Sequence, residues 1–158
     1  MFQNPYDADL AGREPKASLA EAAAAVRTIC QPFDAARWRR SYAAGKWTAA
    51  QILVHLAQIE MMFGVRARFA LTTGGYAVQV FEQDPFVEVE GGVVDGPTAL
   101  DAFLSLRAMN LQLFRALTSQ QLAQEFVHPE RGVMTVADLI AYLAGHDWRH
   151  VEQLRSIQ

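Results

Sequence analysis

"GKWTAAQILVHLA", Gly45 to Ala57, aligns without a gap on "GVMTVADLIAYLA", Gly132 to Ala144. Each stretch runs Gly, an apolar residue, Thr, Ala or Val, a polar residue at the third helical position, two aliphatics, and then Leu-Ala. Thr48 with Gln51 has the form of a capping box, and Thr135 stands as N-cap at the same place. Trp47 with Ile52, and Met134 with Leu139, occupy hydrophobic-staple positions. Two helices therefore start alike, one running to about Leu71 and one nearly to the C-terminus. Two more complete the set. "SLAEAAAAVRTIC" opens on Ser18 with Glu21 as a capping box and ends before Pro32, and "PTALDAFLSL" takes Thr98 as N-cap and ends near Ser119. Between the first two helices, "FDAARWRRSYAAG" reads as a short helical turn or loop with Trp38 turned inward.

The order of these helices follows from the connection spanning positions 74–97. A short link joins antiparallel neighbours, whereas one this long can run the length of a bundle and join parallel helices. The expectation is an all-α four-helix bundle, up-down-down-up, with the long crossover between helices 2 and 3, in a single domain covering 1–158. Alternation in "YAVQVF" and "FVEVEGGVV" suggests either a small hairpin or an irregular loop there. Asp84-Pro85 within it reads as a turn, and a loop of this length is placed to cap a pocket.

Composition narrows the function. A formal charge of −3 gives no basic footprint for nucleic acid. No run approaches ~18 apolar residues, and no secretory signal pattern opens the chain, so the sequence reads as cytoplasmic with no membrane span. The single cysteine, Cys30, excludes an internal disulfide or a multi-cysteine metal cluster and reads as a packed small hydrophobe. Met61, Met62, Phe63, Phe69, Phe103 and Phe114 read as core, with a dimer face as the alternative for some of them.

Chemistry gathers around the histidines. His146 and His150 in "GHDWRH" are four apart, on a stripe with Leu139, Leu143, Leu154 and Ile157. His55 shares a stripe with Gln51, Ile52, Ile59 and Met62. It stands roughly 10 Å inside its helix start, the other two roughly 16 and 22 Å inside theirs. In parallel helices His55 misses the pair, and in antiparallel helices it meets them. The long crossover implies the antiparallel arrangement. Three neutral imidazoles from two helices form an open site suited to a divalent metal such as Zn²⁺, Ni²⁺ or Fe²⁺; mutually hydrogen-bonded core histidines are the other reading. Nearby polar residues have plainer readings. Arg66 is taken as a solvated helix-end side chain, with a substrate carboxylate as the alternative. Asp147 is taken as a surface acid, with orientation of a histidine as the alternative, and Glu60 as salt-bridged or solvated. Gln153 lies within reach of the pocket, and His128 is expected in an exposed polar loop.

From Ser18 to Gln158 the chain resembles the DinB-like (DinB/YfiT) superfamily, on the strength of "GKWTAAQILVHLAQIE" and "GHDWRHVEQL". The resemblance implies an up-down-down-up bundle, commonly a homodimer, with a divalent-metal triad that maps onto His55, His146 and His150. Characterised relatives include S-transferases that use bacillithiol or mycothiol and a mycothiol-dependent maleylpyruvate isomerase. The function implied here is a metal-dependent transfer to a small-molecule substrate using a low-molecular-weight thiol. The alternatives are a metal-dependent hydrolase, for which the triad face offers no evident general base, and a non-catalytic metal-binding stress protein.

Overall fold

The computed structural model describes residues 2–157. Its elements in chain order are α1 (Asp7–Leu10), α2 (Pro15–Cys30), α3 (Ala35–Trp38), α4 (Ala49–Thr72), α5 (Gln83–Glu90), α6 (Gly96–Ala116), α7 (Ser119–Leu122), β1 (Glu125–His128), β2 (Gly132–Thr135) and α8 (Val136–Ser156). The four long helices, α2, α4, α6 and α8, form the bundle. Both aligned helix starts carry the caps expected of them. Thr48 accepts from the Gln51 amide and Gln51 returns the bond, and Thr135 and Asp138 do the same at the head of α8. Two other caps lie one turn earlier than expected. Glu14, not Ser18, caps α2, and Asp95, not Thr98, caps α6. Each of these carboxylates precedes a proline in the first turn, where the missing N–H costs nothing. Ser18 is instead buried, its hydroxyl accepting from Trp148 Nε1 at 2.8 Å.

Core composition gives the helix directions. At one end Ile52 to Ala57 pack in one cluster with Ala99, Phe103, Val151 and Leu154. At the other, Phe63 to Ala70 pack with Leu111, Phe114, Leu139 and Leu143. Numbering therefore rises together in α4 and α6 and falls along α8. Leu19 belongs to the second end and Ala22 to Cys30 to the first, so α2 runs with α8. The order is up-down-down-up, and α4 and α6 are the parallel pair that the crossover joins.

The crossover itself is neither a hairpin nor wholly irregular. Residues 83–90 form α5, with Asp84 in its first turn rather than in a loop. The alternation in "FVEVE" does not produce a strand. Val87 is buried and Val89 is exposed, and Gln58 of α4 instead donates to the Phe86 carbonyl and the Glu90 carboxylate. Among the described residues, strand pairing in the crossover is limited to one parallel bridge, Ala77 to Val127. The hairpin lies between α7 and α8, where β1 and β2 pair antiparallel with Phe126 opposite Met134, and Gly132 takes the positive φ of 75° that closes the turn. Met61 and Phe69, expected in the core, are 43% and 48% exposed, because they lie on the outward face of α4. Phe63, Phe103 and Phe114 are buried as expected. No described helix is long and apolar enough to cross a membrane.

A polar layer crosses the middle of the bundle, between the two apolar clusters. Arg107 of α6, fully enclosed, donates from Nε and Nη2 to Glu60 Oε1 of α4 at 3.0 and 2.5 Å. Its Nη1 donates to the Leu19 carbonyl of α2 at 2.9 Å, and Nη2 lies 2.6 Å from Asp147 Oδ2 of α8. One guanidinium thus ties all four long helices. Asn110 adds bonds to the Glu60 carbonyl and carboxylate at 2.9 Å.

Candidate metal centre

The antiparallel crossing of α4 and α8 brings His55 to the histidine pair. His146 Nε2 lies 3.0 Å from His55 Nε2 and 3.1 Å from His150 Nε2. All three side chains are buried, with His55 at 0% exposure. The stripes anticipated from spacing hold. Leu139, Leu143, Leu154 and Ile157 are buried on α8, and Ile52 and Ile59 on α4.

Protons are too few to bridge these nitrogens. Gln153 Oε1 lies 2.8 Å from His150 Nδ1 and acts as an acceptor, so that nitrogen holds the proton and Nε2 presents a lone pair. His146 Nε2 has at most one proton for two neighbours. A cation at the convergence point relieves that shortage, and a set of three imidazole nitrogens suits a borderline divalent ion. Gln153 is an outer partner that orients its histidine, as metal-ligating histidines generally need.

Electrostatics keep the triad unprotonated. Burial first, then Arg107 and Arg149, hold His146 down at about 3. Burial and the neighbouring His146 hold His150 at about 3, against the opposing Gln153 bond. His55 is lowered well below its ordinary value by burial and by the other two. All three are therefore ready as ligands at neutral pH. Below pH ~6.5 the unfolded chain takes up protons that the folded triad refuses, so metal-free protein loses stability as pH falls from there toward 3. Asp147, raised by burial against the pull of Arg107, contributes with the opposite sign. Thermal melts of chelator-treated protein should show Tm falling from pH 7.5 to 5.5. A flat profile would contradict the buried neutral triad.

Several residues stand elsewhere than their sequence reading placed them. Asp147 is no surface acid. It is 1% exposed, ion-paired to Arg107, with Oδ1 3.7 Å from His146 Nδ1. Glu60 takes the salt-bridge alternative, at full burial. Arg66 is 6% exposed and donates from Nη2 to the Gln79 carbonyl at 2.8 Å. His128 is 8% exposed, because β1 carries it into a cavity wall shared with Arg66 of α4 and Phe81 of the crossover. Trp47, taken only as a staple, also stands against the triad, with ring centres 4.7 Å from His55 and 6.4 Å from His150. Tyr6 meets His146 edge-on at 5.3 Å. Nothing in the sequence marked Tyr6 or Arg107. The Trp47 position, one residue before the cap and two turns from His55, was the available signal.

A cavity of ≈ 280 Å³ opens beside His150, lined by Lys46, Trp47, Asp84, Arg149 and Gln153 among others. Its wall is mostly polar. Cys30, by contrast, is buried in the apolar end of the bundle, and its thiol is pushed up to about 12 by burial. It is an inert packed side chain.

Comparison with known proteins fits this architecture. Residues 18–154 match the family model of the DinB superfamily. A protein of Oceanobacillus iheyensis named "putative metal-dependent hydrolase" is 27% identical over 116 residues, covering 73% of this chain and 67% of that one. YfiT of Bacillus subtilis, which carries the same description, is 25% identical over 118 residues, covering 73% of this chain and 66% of its own length. The chain thus spans about two thirds of these relatives. The solved YfiT structure, described as having an unusual four-helix bundle topology, superposes with a TM-score of 0.83 at 22% identity, over 90% of this chain and 83% of that one. A mycothiol-dependent maleylpyruvate isomerase superposes with a TM-score of 0.74 at 13% identity, over 89% of this chain and 59% of that one.

Proposed function

This chain belongs to the DinB superfamily, and on that footing we propose that His55, His146 and His150 hold one divalent metal ion and that the protein transfers a low-molecular-weight thiol to a small electrophile. The observation that carries the reading is the convergence of three buried, unprotonated imidazole nitrogens at 3.0 and 3.1 Å. When bound there, the ion supplies Lewis-acid stabilisation of a thiolate, the nucleophilic form of a thiol.

The chain's own residues account for the rest. Cys30 is buried and held protonated, so the nucleophilic sulfur comes from outside the chain. The cavity beside His150 offers Lys46, Arg149 and Gln153 to the carboxylates, hydroxyls and amides that decorate small cellular thiols. Trp47 shields the His55 side of the centre from water. The bundle is also the one on which an isomerase named for its dependence on mycothiol is built.

A second reading has water in the nucleophile's place and makes the protein a hydrolase. The observation favouring it is Asp84, brought by α5 to the wall of the same cavity as His150. It is an acid placed to take a proton, which the triad face itself lacks. The names of the relatives agree with this reading.

Metal-loaded protein incubated with 1-chloro-2,4-dinitrobenzene and a panel of bacillithiol, mycothiol, cysteine and coenzyme A separates the two. Conjugate formation that requires both metal and one of the thiols is the expected result. Metal-dependent hydrolysis of p-nitrophenyl acetate without thiol, and no conjugation with any thiol, would replace the first reading by the second.

A further inference from the structure

A second cavity lies beyond Tyr142 from the histidines, where α4, the crossover, the hairpin and α8 meet. Its volume is ≈ 100 Å³, enough for a small organic molecule rather than a single water. Phe63, Phe81, Phe126, Leu139 and Tyr142 make its wall apolar. Tyr142 separates it from the triad, its ring stacked 6.3 Å from that of His146.

The polar groups in this apolar wall are mostly cationic. Arg66 lines the cavity at 6% exposure, and its Nε–H has no partner among the described residues. No carboxylate forms an ion pair with it among those residues. Phe63 and Phe81 lie 5.3 and 5.5 Å from its guanidinium carbon. These rings favour the cation but do not accept its in-plane N–H groups. Arg131 also lines the cavity, over the Tyr142 ring at 5.2 Å. His128 lines it too, and its Nδ1 accepts the Glu130 amide at 3.2 Å, which leaves the ring proton on Nε2. Glu130 is the one acid in the lining. It lies on the exposed hairpin turn beside Arg131, so two guanidiniums and one carboxylate leave an excess positive charge.

A buried guanidinium without a carboxylate partner is costly unless an anion completes it. Phosphate or chloride would satisfy the charge but would leave the aromatic wall against water. The group that answers both is a carboxylate on a compact apolar body. We propose that this cavity is a binding site for a small aromatic or aliphatic carboxylate, its carboxylate received by Arg66 and Arg131 and its body held between Phe63, Phe81, Phe126 and Tyr142. The site is separate from the metal centre and does not rest on the thiol reading. Gln83 lines both cavities, so the occupant sits one residue away from the space beside His150.

The probe is benzoate, with benzyl alcohol as its uncharged counterpart and inorganic phosphate as an anion without an apolar body. Titrations of metal-free, ¹⁵N-labelled protein follow the arginine Nε–H and hairpin amide signals by NMR. Benzoate is expected to move the Arg66 Nε–H signal and to bind at least roughly tenfold more tightly than either control, the value of one charge-assisted hydrogen bond in a desolvated site. Arg66→Met should abolish binding, and Arg131→Gln, at the rim, should weaken it severalfold while the fold is retained. If Arg66→Met does not fold, the wild-type Arg66 signal and Arg131→Gln decide the matter. Equal binding of benzoate and benzyl alcohol, equal binding of phosphate, or benzoate shifts confined to residues outside this cavity would each overturn the proposal. Because the metal is absent throughout, none of these outcomes depends on the activity of the histidine centre.

Discussion

Replacing Arg107 with methionine should destabilise the protein by about 3–5 kcal/mol, the range seen when one partner of a buried ion pair is removed. The side chain is 2% exposed, and it answers two carboxylates and one carbonyl. Burial opposes its charge, but Asp147 and Glu60 outweigh burial and hold the guanidinium above its usual value. Methionine fills much of the volume but leaves Glu60 and Asp147 as buried acids without a cation and the Leu19 carbonyl without its donor. A protein of this size commonly has about 5–15 kcal/mol of stability in all, so the variant sits near the edge of folding at 37 °C. Arg107→Lys should lose less, because an ammonium keeps the charge but cannot span three acceptors on three helices. Urea unfolding at pH 7 measures both. A loss under about 1 kcal/mol for Arg107→Met would mean that the layer is not held by this guanidinium. Replacing Arg107, Glu60 and Asp147 together by apolar residues should recover much of the loss, since it removes the stranded charges as well.

His146→Ala should reduce the bound metal from one equivalent to near none after dialysis, as read by elemental analysis. His146 supplies the middle nitrogen, in contact with both His55 and His150. Changing a residue that merely orients a ligand typically costs about 10–100-fold in affinity, and removing a ligand outright should exceed that. Asp147→Asn provides the comparison. Asp147 touches no proposed coordinating nitrogen, yet it stands 3.7 Å from His146 Nδ1 and pairs with Arg107. It should weaken metal binding within the smaller range and also lower stability. Circular dichroism separates loss of metal from loss of fold. Unchanged stoichiometry in a folded His146→Ala protein would remove the ligand assignment, and with it the metal-dependent reaction.

The triad was legible in the sequence because its geometry depends on two things that a sequence displays. His146 and His150 share a face by helical spacing, and His55 joins them once the length of the crossover sets α4 against α8. Thr48 and Thr135 were equally legible, since a cap bonds within its own first turn. The caps of α2 and α6 were displaced by a turn for a local reason as well. Glu14 and Asp95 offer an acceptor at the same three-residue spacing, just ahead of a first-turn proline already set for a helix. The error at α5 is of another kind. "FVEVE" alternates like a strand, but a strand needs a partner, and Gln58 offers bonds to the Phe86 carbonyl and Glu90 instead.

Arg66, Arg107, His128 and Asp147 were illegible for a shared reason. Each is polar, and each is buried by elements distant in the chain: Arg66 under the crossover, His128 between crossover and α4, and Arg107 and Asp147 against each other across the bundle. Helical period says which residues share a face, but not which of a helix's other faces a neighbour will cover. By itself the sequence determined the four helices, their order and the meeting of three histidines, because spacing, capping and connection length are local or nearly local quantities. Only the tertiary structure decided which charges are buried, which of them are paired, and that one arginine without a carboxylate partner lines an apolar cavity. A charge's partners come from register between helices far apart in sequence, and the cost of leaving one unpaired appears only when packing has excluded the water.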